Sequence, residues 1–315
     1  TIMKQSTSIF NAFFKDQPNE NKIGCAVILA LLALPVILIL LPLIIWKTIS
    51  FLTYTHADVE PCKQDYVKRA EWLRKNIVVA PGELINAMPS AVGSHYQGEW
   101  AIYSLAMTSM SLVNISHLYP EYTETYRQDI KKMIDITMHP AIQAYDARQW
   151  RELPLESLDG DKDHMSYLSL LAWMITNYKM VGGDGRYDAI LHKLCETLNR
   201  RMLESKYDLN LLSFPYKPIW LPDMLVTLVA LRNYGKLYNG KFNDTIDKWL
   251  LNAKTKWLHK ETGLLAGQLP GQSRRMRGMA MRGSHTALSC SYLSLVDEEF
   301  AREQYMKMCK HMRKE

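Results

Sequence analysis

The stretch GDKDHMSYLSLLAWMITNYKMVGGDGRYDAILHKLCETLNRR, residues 160–201, contains two kinds of helix separated by a turn. The first helix, predicted over about 163–180, is apolar on nearly every side, which is typical of a helix that is buried all round. The glycine-rich run at 182–185 ends it. The second helix, near 186–204, has one charged and one apolar face. The stretch therefore predicts a helical hairpin with a buried inner helix and a half-exposed outer helix.

The same hairpin recurs along the chain. Inner helices are predicted to begin near Gly98, Asp163, Pro222 and Ser284, and further outer helices near 121–137, 242–258 and 297–313. These starts are 65, 59 and 62 residues apart by subtraction, and such self-similarity marks a repeat of helical hairpins. We predict an all-α domain over residues 98–315, an α/α toroid whose ring is incomplete or is completed by a partner chain or a second copy. A simple bundle or solenoid of the same hairpins is the alternative.

A separate segment has the composition of a membrane helix. Residues 23–46, IGCAVILALLALPVILILLPLIIW, hold no charged side chain over 24 positions, and roughly 20 apolar residues span a bilayer. The apolar part of a signal peptide is shorter, about 7–15 residues. We predict an N-terminal tail over 1–22, a transmembrane helix over 23–50 that contacts the lipid bilayer through 23–46, and a connecting helix and loop over 51–97.

Charge and cysteine usage narrow the class of protein. The net charge of +6 comes from 38 basic and 32 acidic side chains without a long run of one sign, which does not favour a nucleic-acid partner. The five cysteines are scattered and lack metal-ligand spacing, so neither a disulfide framework nor a structural metal site is expected. Lysines at 4, 15 and 22 precede the apolar run and favour a single-pass membrane protein whose C-terminal domain is exported, periplasmic or extracytoplasmic.

The loops that lead into the inner helices are rich in acidic, basic and aromatic side chains. Because the inner helices of a toroid run parallel, their N-termini meet at one rim, where unpaired N–H groups and helix dipoles favour negative charge. The linker residues His139 and Asp146 are expected to fold over this rim. The candidate catalytic residues are His164, Glu99, Asp223 and Tyr167, and the candidate substrate-binding residues are His95, Tyr96, Trp100, Tyr216, Trp220, Arg282 and His285. Each also has a structural explanation, since acids such as Asp163 cap helices and aromatic residues pack cores.

Several of these segments resemble the linalool dehydratase/isomerase-type α/α-barrel domain. They are GEWAIYSLAMTSMSL (98–112), DHMSYLSLLAWMITNYKMVGGDGRYD (163–188), FPYKPIWLPDMLVTLVAL (214–231) and MRGSHTALSCSYLSLVDEEFAREQY (281–305). The resemblance covers roughly 90–313 and implies a cofactor-free acid/base pocket that removes water from a small terpene alcohol or isomerises it. His164 and Tyr167 match best. The family's pocket also draws on cysteines, and only Cys290 falls on a predicted inner helix here.

Two functions are compatible with this pattern. The first is a membrane-anchored, cofactor-independent lyase, isomerase or hydrolase that acts on a small lipid-like or glycan substrate, with Glu99 and Asp223 as a carboxylate pair. The second is a non-catalytic binding or scaffold subunit of a cell-envelope complex. Carboxylates brought together in a pocket favour the enzyme, whereas rim side chains that are all engaged in capping favour the scaffold.

Overall fold

A computed structural model describes residues 19–56, 63–90, 93, 96–273, 279 and 282–312. Twelve α-helices form nearly all of the regular structure in this part of the chain, which confirms the all-α class. The candidate His95 and residues 57–62 of the predicted connecting segment fall outside the described residues.

The helices follow the predicted order of hairpins. They are α1 (Asn19–His56), α2 (Lys63–Ile77), α3 (Pro81–Ala87), α4 (Gln97–Leu118), α5 (Thr123–Met138), α6 (Pro140–Trp150), α7 (Met165–Met180), α8 (Asp188–Glu204), α9 (Leu221–Leu237), α10 (Asn243–Lys256), α11 (Gly283–Leu293) and α12 (Glu298–Met312). Short 3₁₀ turns at Pro120–Tyr122 and Gly185–Tyr187 precede α5 and α8. The strands β1 (Ile219–Trp220) and β2 (Gln268–Leu269) pair antiparallel.

The chain divides into two compact units, and the first, residues 1–62, is described through α1. This helix has 38 residues and continues through Pro35 and Pro42. The 19 residues Leu31–Ile49 have a mean hydropathy of 2.4, and none of them is buried against the rest of the described chain. A helix of this length and composition can span a bilayer, and the finding agrees with a single-pass anchor near the N-terminus.

The second unit, residues 63–315, contains the four hairpins. Its inner helices α4, α7, α9 and α11 begin within two residues of the predicted starts. Each inner helix packs on the outer helix that follows it, α5, α8, α10 or α12. Along the inner row, α4 packs on α7, α7 on α9, and α9 on α11. Helix α7 is the most enclosed, with 14 of its 16 residues buried.

Polar side chains join the inner helices at matching depths. Asn177, the thirteenth residue of α7, donates a hydrogen bond of 2.8 Å to Ser109, the thirteenth residue of α4. Ser169 and Thr227, near the starts of α7 and α9, share a hydrogen bond of 2.6 Å. Deeper in the unit, the Tyr292 ring of α11 packs edge-on against Trp173 of α7. These contacts join equal depths of α4 and α7 and the N-terminal halves of α7 and α9, as a parallel arrangement of these inner helices requires.

Two helices of this unit are absent from the predicted pattern. Helix α3 forms within residues that we expected to be a loop, with Pro81 in its first turn. Helix α6 follows α5 directly, because the His139 ring accepts a hydrogen bond from the Ala141 N–H and Pro140 starts the next turn. Helix α6 packs on α3, α4, α5 and α7. This additional helix explains why the inner helices α4 and α7 start 68 residues apart and α7 and α9 only 56, by subtraction.

Gly98 marks the closest approach of α4 to α6, and its replacement provides a test of this packing. A Cβ atom at Gly98 would lie 2.8 Å from the Tyr145 Cβ, so Gly98→Ala requires one helix to shift. We expect the free energy of unfolding to fall by about 1–3 kcal/mol, measured by denaturant titration of the full chain in detergent. Gly82 occupies the equivalent second position of α3 with nothing within 4 Å of its added Cβ, so Gly82→Ala is the matched control. It should be neutral or stabilise the fold by about 0.5 kcal/mol, and equal effects of the two changes would contradict the close approach.

Candidate functional site

Asp223 lies in the first turn of α9 and accepts hydrogen bonds from two other segments. The Tyr103 hydroxyl of α4 donates to Oδ1 at 2.7 Å, and the Ser213 hydroxyl donates to Oδ2. Burial raises the pKa of Asp223, and the two hydroxyl donors oppose that rise. The contact with Tyr103 brings the N-terminal turns of α4 and α9 together, as the parallel arrangement requires.

Glu99 lies one turn before Tyr103 on α4, and its environment differs from that of Asp223. Among the described residues, no hydrogen-bond donor or cation contacts its carboxyl group. Burial raises the pKa of Glu99 to about 8, with smaller contributions from the negative charges of Asp223 and Asp146. Two donors favour the charged form of Asp223, whereas none favours the charged form of Glu99, so the charge is better stabilised on Asp223 than on Glu99.

A small cavity of about 40 Å³ borders the Glu99 carboxyl group. Such a volume holds a few water molecules at about 10–15 Å³ each. The lining residues are three aromatic rings and three polar side chains: Tyr96, Tyr145 and Phe214 with Glu99, Gln149 and Lys217. The Tyr145 and Phe214 rings pack edge to face with their centroids 6.2 Å apart. The cavity thus combines a carboxylic acid, an amide and an ammonium group with an aromatic wall.

His164 is fully buried between two carboxylates. Its Nδ1 lies 2.5 Å from Asp146 Oδ2, and its Nε2 lies 3.1 Å from Glu152 Oε1. The Trp150 ring packs against the imidazole with centroids 5.1 Å apart. Lys162 pairs with Glu152 at 3.1 Å and completes a row of alternating acidic and basic groups. The imidazole is therefore engaged at both nitrogens and does not line the cavity.

The two carboxylates beside His164 have opposite pKa shifts. Burial raises the pKa of Asp146, although the hydrogen bond with His164 opposes the rise. Burial also acts to raise the pKa of Glu152, but the hydrogen bonds with His164 and Lys162 together outweigh it and lower this pKa. Asp146 is wholly inaccessible, and its second oxygen Oδ1 has no partner among the described residues. The charge of Asp146 contributes to the raised pKa of Glu99, so the buried pair of Asp146 and His164 acts electrostatically on the cavity.

The loop before α7 holds His164 in place through backbone contacts. The residue has φ 44° and ψ 27°, the left-handed region, which costs a side-chain-bearing residue about 1–2 kcal/mol. The buried Arg201 guanidinium of α8 donates to the carbonyls of Ser157, Gly160 and Asp163, and burial lowers the pKa of Arg201 to about 10. The Asp163 carboxylate accepts from the Leu212 N–H at 2.8 Å instead of capping its own helix, which corrects the capping interpretation.

Other predicted site residues lie apart from Glu99 and Asp223. Tyr167 is fully buried, and its hydroxyl donates to the Thr137 carbonyl of the outer helix α5 at 2.8 Å. Trp100 and Tyr216 are exposed by 50% and 81%, too open to form a pocket wall in this conformation.

Trp220, Arg282 and His285 form a second small group at the start of α11. The Trp220 and His285 rings pack with centroids 5.2 Å apart, and the exposed Arg282 precedes the first residue of that helix. Burial lowers the pKa of His285, and the charge of Arg282 lowers it further. The sequence interpretation missed the cavity residues Tyr145, Gln149, Phe214 and Lys217, and it missed Tyr103, the hydrogen-bond donor to Asp223. Tyr103 alone had a usable signal, because it lies four residues after Glu99 and so on the same helical face.

The protein is all-α and brings together a carboxyl group, Glu99, whose pKa is raised to about 8, and a second one, Asp223, that accepts two hydroxyl hydrogen bonds. No protein-family model matches the chain, and no curated protein is significantly similar to it.

The raised pKa of Glu99 predicts a particular pH dependence of stability. A carboxyl group whose pKa is higher in the folded than in the unfolded chain binds more protons when folded, so the free energy of unfolding falls as the pH rises from 4.5 to about 8. After allowance for partial exposure we expect a fall of about 2 kcal/mol from this group. Glu99→Gln should abolish that part of the slope in urea titrations between pH 4 and pH 9. The exposed Glu299→Gln is the control and should follow the wild type; an unchanged slope in Glu99→Gln would contradict the assignment.

The buried His164 pair predicts a coupling between two substitutions. His164→Asn tolerates the left-handed backbone but removes the buried hydrogen-bond partner of Asp146, so we expect a loss of about 1–3 kcal/mol. Adding Asp146→Asn removes the buried carboxyl group that has lost its partner and should recover part of the loss, as measured by a double-mutant cycle in denaturant. Strict additivity of the two changes would show that the pair does not interact.

Proposed function

We propose that this chain is a membrane-anchored, cofactor-independent acid/base enzyme in which Glu99 is the general acid and Asp223 the general base. The observation that carries the proposal is the difference between the two carboxyl groups. Glu99 borders the cavity, accepts no hydrogen bond from the described residues and has a pKa of about 8. Two hydroxyl groups, in contrast, stabilise the charged form of Asp223. Environments that separate two carboxyl pKa values are how one site holds an acid and a base together.

The pair suits reactions in which an oxygen leaves while a proton is removed nearby. In loss of water from an alcohol, Glu99 protonates the departing hydroxyl and Asp223 takes a proton from the adjacent carbon, so that C–O and C–H bonds break and C=C forms. In hydrolysis, Asp223 takes a proton from the attacking water and Glu99 protonates the leaving oxygen. Either turnover leaves Glu99 ionised and Asp223 protonated, and proton exchange with solvent resets them.

The chemistry of the cavity lining, rather than its volume, supports a small lipid-like or glycan substrate whose reacting group enters the cavity. Its rings Tyr145 and Phe214 offer a surface for a hydrocarbon or for the apolar face of a sugar, and Gln149 and Lys217 offer donors to oxygen atoms. The resemblance to the linalool dehydratase/isomerase-type domain favours the lyase or isomerase chemistry over hydrolysis. His164 and Tyr167, which match that family best, then act on the site through the fold and the charge of Asp146.

The proposal includes the architecture and the location of the chain. We place the four hairpins in an α/α toroid, supported by their parallel inner helices and by the Tyr292 hydroxyl, which lies 4.0 Å from the Met107 sulfur of α4. The apolar α1 supports anchoring in a membrane, and the lysines before it favour an exported domain in the cell envelope.

A non-catalytic binding or scaffold subunit is the second candidate. The observation in its favour is that His164, Tyr167 and Asp163 all hydrogen-bond to other residues of the fold. The polar side chains at the N-terminus of α7 are therefore explained without a substrate. In this function the cavity is a shallow recognition site, and a partner chain or second copy covers the rim.

Turnover by matched variants separates the two functions. The full chain in detergent is incubated with panels of terpene alcohols and of cell-envelope oligosaccharides, and products are identified by mass spectrometry. We expect Glu99→Gln and Asp223→Asn each to lose about 100-fold or more of the turnover, while Glu299→Gln retains it. The pH profile of the wild type should fall above about 8 as Glu99 loses its proton. Full turnover in both site variants, or ligand binding without any turnover by the wild type, would favour the scaffold.

A further inference from the structure

Helix α2 carries an exposed cationic and aromatic face that the proposed site does not use. Lys68, Trp72 and Lys75 lie on successive turns of the same side of the helix, and Arg69 lies beside them. Trp72 is 63% exposed. The opposite side of α2, with the buried Ala70 and Ile77, packs on α4. We call Lys68, Arg69, Trp72 and Lys75 the α2 outer face.

The charges on this face are largely unneutralised. Within the described part of the chain, no carboxylate pairs with Lys68 or Lys75, whereas Arg69 pairs with Asp65 at 2.9 Å. Two unpaired ammonium groups therefore flank one exposed indole. An indole with lysine stems on either side is the composition of helices that lie at the boundary of a bilayer, where the ring packs at the headgroup level and the lysines reach the phosphates.

The position of α2 in the chain favours a lipid partner over an acidic protein. Only residues 57–62 separate the end of α1 from the start of α2. Even fully extended, these six residues and their flanking bonds reach no more than about 25 Å. A bilayer that holds α1 is therefore tethered close to the α2 outer face at high effective concentration, while a separate acidic protein has no such advantage.

We infer that the α2 outer face docks on the headgroups of anionic phospholipids beside the point where α1 leaves the bilayer. This inference rests on the proposed anchoring by α1 and is independent of the proposed chemistry at Glu99. Docking orients the second unit toward the membrane surface, and its strength follows the lipid charge and falls with added salt.

The test measures the accessibility of Trp72 in vesicles. The full chain is reconstituted in phosphatidylcholine alone or with phosphatidylglycerol, and tryptophan fluorescence is quenched with aqueous acrylamide. The contribution of Trp72, one of eight tryptophans, is the difference between the wild type and Trp72→Phe. The matched control is Trp100→Phe, because Trp100 is similarly exposed at 50%. We expect the quenching of Trp72 to fall about threefold in the anionic vesicles at low salt and to recover in high salt, with no change at Trp100.

A charge variant identifies the interaction. In Lys68→Gln/Lys75→Gln the protection of Trp72 should be lost while the fold is kept, because both side chains are exposed. Equal accessibility of Trp72 in both lipids overturns the inference, and so does protection that persists in this variant or in neutral vesicles. Alkaline extraction reports anchoring separately: an anchored chain with an accessible Trp72 overturns docking alone, whereas a chain that is extracted overturns the anchoring and docking together.

Discussion

Helix α7 is apolar on nearly every side, so other helices have to cover it all round, and 14 of its 16 residues are buried. The coverage comes from α4 and α9 beside it and from α5, α6 and α8 around it. Polar groups within this packing need partners, since an unpaired buried donor or acceptor is costly. The pairs Asn177–Ser109 and Ser169–Thr227 meet that need only at one alignment of the helices. The enclosure of α7 thereby sets the register of its neighbours.

The same register places the polar groups of the site. When α4 and α9 start at one level, Glu99 and Tyr103 of the first helix face Asp223 of the second. Enclosure also excludes water, which raises the pKa of Glu99 to about 8, while two hydroxyl donors stabilise the charged form of Asp223. One packing constraint thus explains both the position of the two carboxyl groups and the difference in their hydrogen-bond partners.

The apolar pattern was sufficient to predict the hairpins, because an inner helix that is apolar all round differs clearly from its two-faced partner. It was also sufficient to associate Glu99 with Asp223, since both lie in first turns at one end of parallel helices. It could not reveal that Asp146 and Glu152 enclose His164, because such contacts depend on how α6 packs and α6 itself has a mixed pattern. Nor could it orient Tyr167, since a helix buried on all sides offers no outward face.

His164 combines two demands at a single position. The backbone there is left-handed, a conformation that asparagine and glycine tolerate better than other residues, while the side chain has to contact carboxylates through both of its ends. Few of the twenty amino acids satisfy both demands. A substitution at this position is therefore costly even if the residue never touches a ligand, so a loss of activity in a His164 variant would reflect the geometry of a loop as readily as the chemistry of a reaction.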